Sequence, residues 1–295
     1  MMICPDCNNE LVINTGKCNF CSWALDIEDN IPIYLSNHDK RDVMFNRYLD
    51  NYDDISVDDL DTSIQNIKYL ESQNEKLFTY LPPLQGLKVC EIGVGKGALL
   101  ELILKENPAK LVGVDVSRPY LKTIKSKFEA NLELILANAE NIPFANEFDV
   151  IIAADIIEHV FNVGDFLTSV NRALKLNGHF IVKTPHNEDI NGYSKLRGCK
   201  YNFVHLRNFN KRTLTTVLNG AGFDVKKIIF DGFYPDRLRA FIQKNTYLNN
   251  KCIKYLNKKF EDVNDVNRIK NYLGNALMNP MEITAVTTKR VDLIF

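Results

Sequence analysis

Residues 87–100 read LKVCEIGVGKGALL. A short apolar run ends in three glycines at alternate positions, Gly93, Gly95 and Gly97, and an amphipathic run follows. That order predicts a strand, a tight turn and a helix. Glycine lets the backbone come close to a ligand, and the first turn of a helix presents free N–H groups. Working outward, KLVGVDV (110–116), LELILA (132–137), FDVIIAAD (148–155) and GHFIVKTP (178–185) read as further strands. RPYLKTIKSKFEA (118–130), DFLTSVNRALKLN (165–177) and KRTLTTVLNGAG (211–222) read as helices. Strands that alternate with helices imply parallel crossovers and a doubly wound α/β sheet. Ligands in such sheets bind beyond the carboxyl ends of the strands. The loop alone is ambiguous, because Gly93, Gly95 and Ala98 also satisfy a G-x-G-x-x-A dinucleotide pattern. Asp115 ends the second strand, where a ribose-binding acid belongs in either reading.

The chain has 295 residues, 45% of them hydrophobic and 25% charged. This composition excludes collagenous, mucin-like and wholly disordered chains, and the length predicts about two domains. No run of eighteen apolar residues occurs, so no transmembrane helix is expected. The opening MMICPDCNNE lacks a basic segment followed by an apolar one, which predicts a cytoplasmic protein without a secretory signal. Charge is uneven: residues 1–86 carry a net −9 and residues 183–295 a net +10. An acidic N-terminal third would repel phosphate, so a nucleic-acid partner is not expected.

Cys4, Cys7, Cys18 and Cys21 form two C-x-x-C pairs. Four thiolates in matched pairs suit a closed tetrahedral zinc site, which would be structural rather than catalytic. A redox pair normally sits beside a βαβ pattern, and none follows. Trp23, Leu25, Ile27, Ile31, Ile33 and Leu35 then recur at odd positions, as a small β-ribbon would. The expected organisation is a zinc-ribbon module at 1–36, an acidic helical connector at 37–86 and the α/β domain at 87–295. Loss of zinc, by Cys4→Ser, is expected to leave the α/β domain's ligand binding largely intact.

Four phrases break the ambiguity of the glycine loop. Glu91 opens an E-x-G-x-G-x-G arrangement, Asp115 sits in GVDVS, Asn138-Ala139 sits in LANAENIPF, and the fourth strand runs on as FDVIIAADIIEHV. As a set, over about residues 87–232, these resemble the class I S-adenosylmethionine-dependent methyltransferases, in the UbiG-like O-methyltransferase branch. The first 36 residues resemble the zinc ribbons found beside methyltransferases. The resemblance implies a Rossmann-like seven-stranded sheet whose last strand, MEITAVTTKR (281–290), inserts antiparallel beside GAGFDVKKIIF (220–230). It further implies that Gly93, Gly95 and Gly97 pass beneath the methionine part of the cofactor, with Glu91 reaching its amino group. Asp115, beside Val116, would hold the ribose. Asn138 and Ala139 would flank the adenine, with Asn138 where the family usually has Asp. Asp155 and Ile156 would lie near the sulfonium, and Tyr48 and Tyr52 would cap the cofactor from the connector.

Methyl transfer from a sulfonium needs alignment, exclusion of water and, for a hydroxyl acceptor, a base titrating near neutrality. Histidine fits that last need. The candidates are His159, just past the fourth strand, His186, past the fifth, and His205 in FVHLRNFN. Glu158 and His159 could instead help hold a divalent ion, as in some UbiG-like relatives. Residues 187–210 exceed an ordinary connection and suggest a substrate loop. Residues 233–280 read as a helical insertion, serving as lid, acceptor pocket or dimer surface. The expected function is methyl transfer to a small molecule, most readily at a hydroxyl oxygen. The alternatives are an rRNA base methyltransferase that docks through its zinc ribbon, and a non-catalytic binding or activating subunit.

Overall fold

A computed structural model describes residues 1–12, 16–61, 67–128, 132–234 and 279–293. The elements run β1 (Asp26–Glu28), β2 (Ile31–Ile33), α1 (Asn37–Arg41), α2 (Val43–Asp61), α3 (Ile67–Phe78) and β3 (Lys88–Ile92). Then come α4 (Ala98–Leu104), β4 (Lys110–Asp115), α5 (Arg118–Lys127), β5 (Leu132–Leu136) and β6 (Phe148–Ala154). The chain continues through α6 (Val163–Ala173), β7 (Leu174–Pro185), α7 (Lys211–Gly220), β8 (Phe223–Tyr234) and β9 (Asn279–Lys289). The strands form one sheet in the order β1-β2-β5-β4-β3-β6-β7-β9-β8.

Strands β5, β4, β3, β6 and β7 are parallel neighbours, as the alternation of apolar runs and helices predicted. Helices cover both faces, so β3 and β6 are buried almost throughout and read as continuous apolar runs. β9 lies between β7 and β8, antiparallel to both.

Two expectations change. The sheet has nine strands among the described residues, not seven. The extra two are the ribbon β1–β2, turned at Asp29 and Asn30, both in the left-handed region with φ of 50° and 59°. Two successive residues at positive φ make a hairpin turn whose twist matches its strands. β2 joins β5 in parallel through Ile33 and Leu136, and the Tyr34 N–H donates to the Leu136 carbonyl at 2.8 Å. An edge strand leaves its backbone groups unpaired, and this ribbon covers that edge. The second change is at α6, which ends at Ala173 rather than Asn177. Leu174 is extended and pairs with Phe148, so Leu174–Asn177 begin β7. The insertion expected at 233–280 lies almost wholly outside the described residues.

The sheet separates two apolar layers. One joins Trp23 and Tyr34 to Phe166, Phe180 and Phe223, with Cys4 and Cys18 at its margin. The other joins Phe45, Tyr48 and Leu49 of α2 to Leu99, Ile103 and Ile124. Trp23 is 1% exposed, stacks on Tyr34 with ring centroids 5.7 Å apart, and donates its indole N–H to the Leu35 carbonyl at 2.9 Å. No helix among the described residues is long and apolar enough to cross a membrane. Trp23→Ala is expected to cost about 3–5 kcal/mol of stability, from lost burial and the cavity left behind. Urea unfolding followed by circular dichroism would measure it.

Candidate active site

The glycine turn after β3 is shaped by its surroundings. Gly93 has φ 79°, and a Cβ there would come within 1.9 Å of the Ile156 side chain. Only glycine fits both the backbone and the space. Asp115, at the end of β4, accepts from the Gly95 N–H at 3.1 Å and from the Ser117 N–H at 2.9 Å. The acid at the end of the second strand is therefore tied directly to the loop at the end of the first. Burial raises its pKa to about 6, although the backbone N–H groups around it favour the charged form. Glu91 is 3% exposed and its Oε2 has no hydrogen-bond partner among the described residues. Burial, and then the charge of Asp115, push its pKa well above the usual carboxylate range. A buried acceptor of this kind fits a ligand's ammonium group.

A cavity of about 520 Å³ lies beyond the carboxyl ends of β3, β4, β5 and β6. Glu91, Gly93, Gly95 and Gly97 line one wall, Asp115 and Val116 the next, and Asn138 and Ala139 a third. Asp155, Ile156 and His159 continue the lining toward α2. Asp155 has φ 57°, an uncommon conformation for a non-glycine residue, and its carboxylate pairs with the buried Lys183 ammonium at 2.9 Å.

Helix α2 roofs the cavity. Tyr48, Tyr52, Ile55 and Asp59 line it at i, i+4, i+7 and i+11, which is one helical face. Polar contacts seat the roof. Asp53 accepts from the Arg118 N–H at 2.9 Å, Ser56 and Ser117 hydroxyls meet at 2.7 Å, and Asp59 pairs with Lys96 at 3.0 Å. Sequence reading found the two tyrosines but missed Asp53, Ser56 and Asp59. Their spacing was the available signal, hidden among the many acids of the connector.

Asn138 is held from both ends. Its Oδ1 accepts from the Glu140 N–H at 3.0 Å, and its Nδ2 donates to Asp39 Oδ1 at 3.1 Å. Asp39 is buried and also accepts from Ser36, N–H and hydroxyl alike. This explains the amide at position 138. A carboxylate there would face a second buried carboxylate across one hydrogen-bond distance.

The three histidines are placed differently. His159 lines the cavity, with Nδ1 2.6 Å from the Tyr52 hydroxyl and 2.7 Å from the Val204 carbonyl. A carbonyl only accepts, so Nδ1 carries the proton and Nε2 the lone pair. Burial, reinforced by His205, lowers its pKa to about 4, below the near-neutral value expected of the base from the sequence. His205 stands behind it, with ring centroids 4.6 Å apart, and its Nδ1 hydrogen-bonds the Glu188 carboxylate. His186 is not among the cavity's lining residues. It packs on Phe230 with centroids 5.0 Å apart, and its Nδ1 lies 3.1 Å from the Pro280 carbonyl.

At the other end of the chain the four cysteines converge. Cys4 and Cys21 Sγ are 3.6 Å apart, Cys7 and Cys18 Sγ are 3.5 Å apart, and all four sulfurs lie within 4.8 Å of one another. A tetrahedral zinc with bonds of about 2.3 Å needs sulfur separations of roughly 3.8 Å, so the donor set fits that ion. The Asn9 amide, 3.3 Å from Cys7 Sγ, lowers that thiol's pKa to about 6.

Comparison with known proteins agrees with this geometry. The family profile described as Methyltransferase domain matches residues 90–182. The ubiquinone biosynthesis O-methyltransferase of Azorhizobium caulinodans is 34% identical over 182 residues, covering 57% of this chain and 71% of that protein. The mitochondrial ubiquinone biosynthesis O-methyltransferase of Dictyostelium discoideum is 27% identical over 135 residues, covering 41% of this chain and 42% of that protein. This chain thus spans less than half the length of the Dictyostelium relative. An S-adenosylmethionine-dependent methyltransferase of Mesorhizobium loti superposes with a TM-score of 0.51 at 15% identity, over 72% of this chain and 96% of that one. The chain belongs to the S-adenosylmethionine-dependent methyltransferases. Among them it is similar to the ubiquinone biosynthesis O-methyltransferases.

Two outcomes follow for the cofactor wall. Asp115→Ala should weaken S-adenosylhomocysteine binding by about 1–3 kcal/mol in calorimetry, the size of lost charged hydrogen bonds. A carboxylate accepts from two hydroxyls at once only when ionised, so wild-type affinity should be full above pH 7 and fall as pH drops through about 6. Asn138→Asp should destabilise the fold by roughly 1–3 kcal/mol at pH 7. A further Asp39→Asn, which removes the facing carboxylate, should restore the melting temperature.

Proposed function

We propose that the protein binds S-adenosylmethionine in the roofed cavity and transfers its methyl group to a hydroxyl oxygen of a small molecule. The observation that carries this reading is the junction of Asp115 with the glycine turn, beside the unpaired Glu91 Oε2. Asp115 holds the ribose. Glu91 accepts from the amino group of the methionine moiety, which crosses Gly93, Gly95 and Gly97. Ala139 and Val116 border the adenine, and Asn138 orients that side. The cofactor supplies the electrophilic methyl group when bound. The roof excludes water, and Tyr52, Asp155 and Ile156 border the place where acceptor and sulfonium meet.

His159 takes the acceptor's proton on Nε2. Burial keeps the imidazole neutral at pH 7, so the lone pair is available without prior deprotonation. The Val204 carbonyl and the Tyr52 hydroxyl hold the ring. His205 and Glu188 brace it from behind. A second reading has its own observation: ligand atoms of Glu158, His159 and His205 lie within 4.8 Å of one another. A divalent cation there would polarise the acceptor oxygen.

The small-molecule reading is supported by the acidic residues 1–86 and by the names of the similar proteins. Those names do not favour an rRNA substrate. The organisation that goes with it is a zinc ribbon at 1–36 on Cys4, Cys7, Cys18 and Cys21, a helical roof at 37–86 and the catalytic domain at 87–295.

The test is a screen of phenolic and other hydroxylated acceptors with methyl-labelled cofactor. Label entering small hydroxylated acceptors supports the proposal, and label entering bulk rRNA instead overturns it. His159→Ala is expected to lower kcat by about 10²–10⁴ while S-adenosylhomocysteine affinity changes little. A rate that depends on added Mg²⁺, and loses that dependence in Glu158→Gln, would favour the cation reading over the base.

A further inference from the structure

The turn that borders the adenine side of the cavity, residues 138–142, is not held by the α/β domain alone. Its own domain supplies bonds from the Ile142 N–H to the Ser169 hydroxyl at 2.8 Å and from the Phe161 N–H to Glu140 Oε1 at 2.7 Å. Further side-chain anchors lead to the first cysteine knuckle. Asn141 Nδ2 donates to the Pro5 carbonyl at 2.7 Å. The Arg172 guanidinium donates to Asn8 Oδ1 at 3.0 Å, to Asn141 Oδ1 at 3.0 Å and to the Ile142 carbonyl at 2.8 Å, joining knuckle and turn through one rigid group. A third route runs through α1. Asp6 accepts from the Asn37 N–H at 2.6 Å, and two residues on Asp39 accepts from Asn138.

Pro5, Asp6 and Asn8 all belong to the short loop around Cys4 and Cys7. That loop closes on itself through Cys4 N–H to the Asn9 carbonyl and Asn8 N–H to the Cys4 carbonyl, at 2.8 and 2.9 Å. Across the knuckle its position depends on the sulfur pairs Cys4–Cys21 and Cys7–Cys18. Without a cation nothing bridges these sulfurs: the Ile3 N–H still meets the Pro143 carbonyl at 3.0 Å, but the loop from Pro5 to Asn8 loses its brace to the second knuckle.

We propose that the metal-bound first knuckle is a positioning element of the adenine pocket, so that metal occupancy and cofactor affinity are linked. This rests on the zinc and cofactor readings above. It replaces the sequence expectation that cofactor binding survives loss of the metal. Linkage is reciprocal: metal strengthens cofactor binding by the same factor as cofactor strengthens metal binding. Asn141 and Arg172 act through the turn, not on the cofactor.

The full-length protein is loaded with one equivalent of zinc, or stripped with a chelator, and titrated with S-adenosylhomocysteine by calorimetry. The expected result is a Kd on the order of tenfold weaker without metal. In the reverse experiment, saturating S-adenosylhomocysteine should lower the amount of zinc a chromophoric chelator takes at equilibrium. Asn141→Ala leaves the cysteines untouched. It should retain zinc, bind S-adenosylhomocysteine more weakly, and show a smaller difference between loaded and stripped protein. Equal Kd values with and without zinc overturn the proposal. Should the stripped protein unfold, zinc transfer that is indifferent to S-adenosylhomocysteine overturns it equally. A zinc-loaded protein that binds no S-adenosylhomocysteine fails the cofactor reading, and a protein that takes up no zinc fails the metal reading. Both bound without mutual effect fails the linkage alone.

Discussion

The carboxylate of Asp115 accepts two backbone N–H bonds, from Gly95 and Ser117, and the rest of the site is arranged around it. One bond reaches back to the turn after β3, and the other starts α5. Neighbouring parallel strands put both at the same end of the sheet. A charged acceptor in a nearly closed site is costly unless donors surround it. The backbone supplies two donors, and the residue lines the cavity. The same burial that raises the pKa of Asp115 makes it a strong acceptor for hydroxyl groups delivered by a ligand.

The roof completes that environment. Helix α2 has an apolar face, Phe45, Tyr48 and Leu49, packed on the layer that includes Leu99 and Ile124. Its polar side chains meet the first turn of α5 through Asp53 and Ser56. Apolar packing fixes where the helix lies, and the polar contacts fix its rotation, which aims Tyr48 and Tyr52 inward. Tyr52 then reaches His159, so the connector helps hold the residue assigned to take the proton.

The N-terminal 36 residues are built into this arrangement. Ile33 and Tyr34 extend the sheet at β5, Trp23 belongs to the same apolar layer as Phe166 and Phe180, and the first knuckle touches the turn after β5. A ribbon that covers a sheet edge removes an exposed strand and also anchors the loop that leaves it. That is why the order β2-β5-β4 brings the cysteine knuckle beside the cavity wall of Asn138 and Ala139.

Much of this was legible in the sequence, because the signals were local. Alternating apolar runs, the three-glycine turn, the acid twenty residues past Gly95 and the paired C-x-x-C motifs each report short-range geometry. They led to the parallel sheet, and the resemblance they carry led to the antiparallel last strand; Glu91, Gly93, Gly95, Gly97, Asp115, Asn138 and Asp155 do line one cavity. What local pattern could not convey was pairing between distant segments. The two added strands depend on Ile33 meeting Leu136, about a hundred positions apart, and neither stretch names its partner. Asn138 read as a departure from an expected acid until Asp39 was placed beside it. Among three plausible histidines, only the fold separated His159, at the cavity, from His205 behind it and His186 against Phe230. Residue types and spacing determine what chemistry is available. Which groups share one desolvated space is decided by tertiary packing, because burial and charge act through distance and not along the chain.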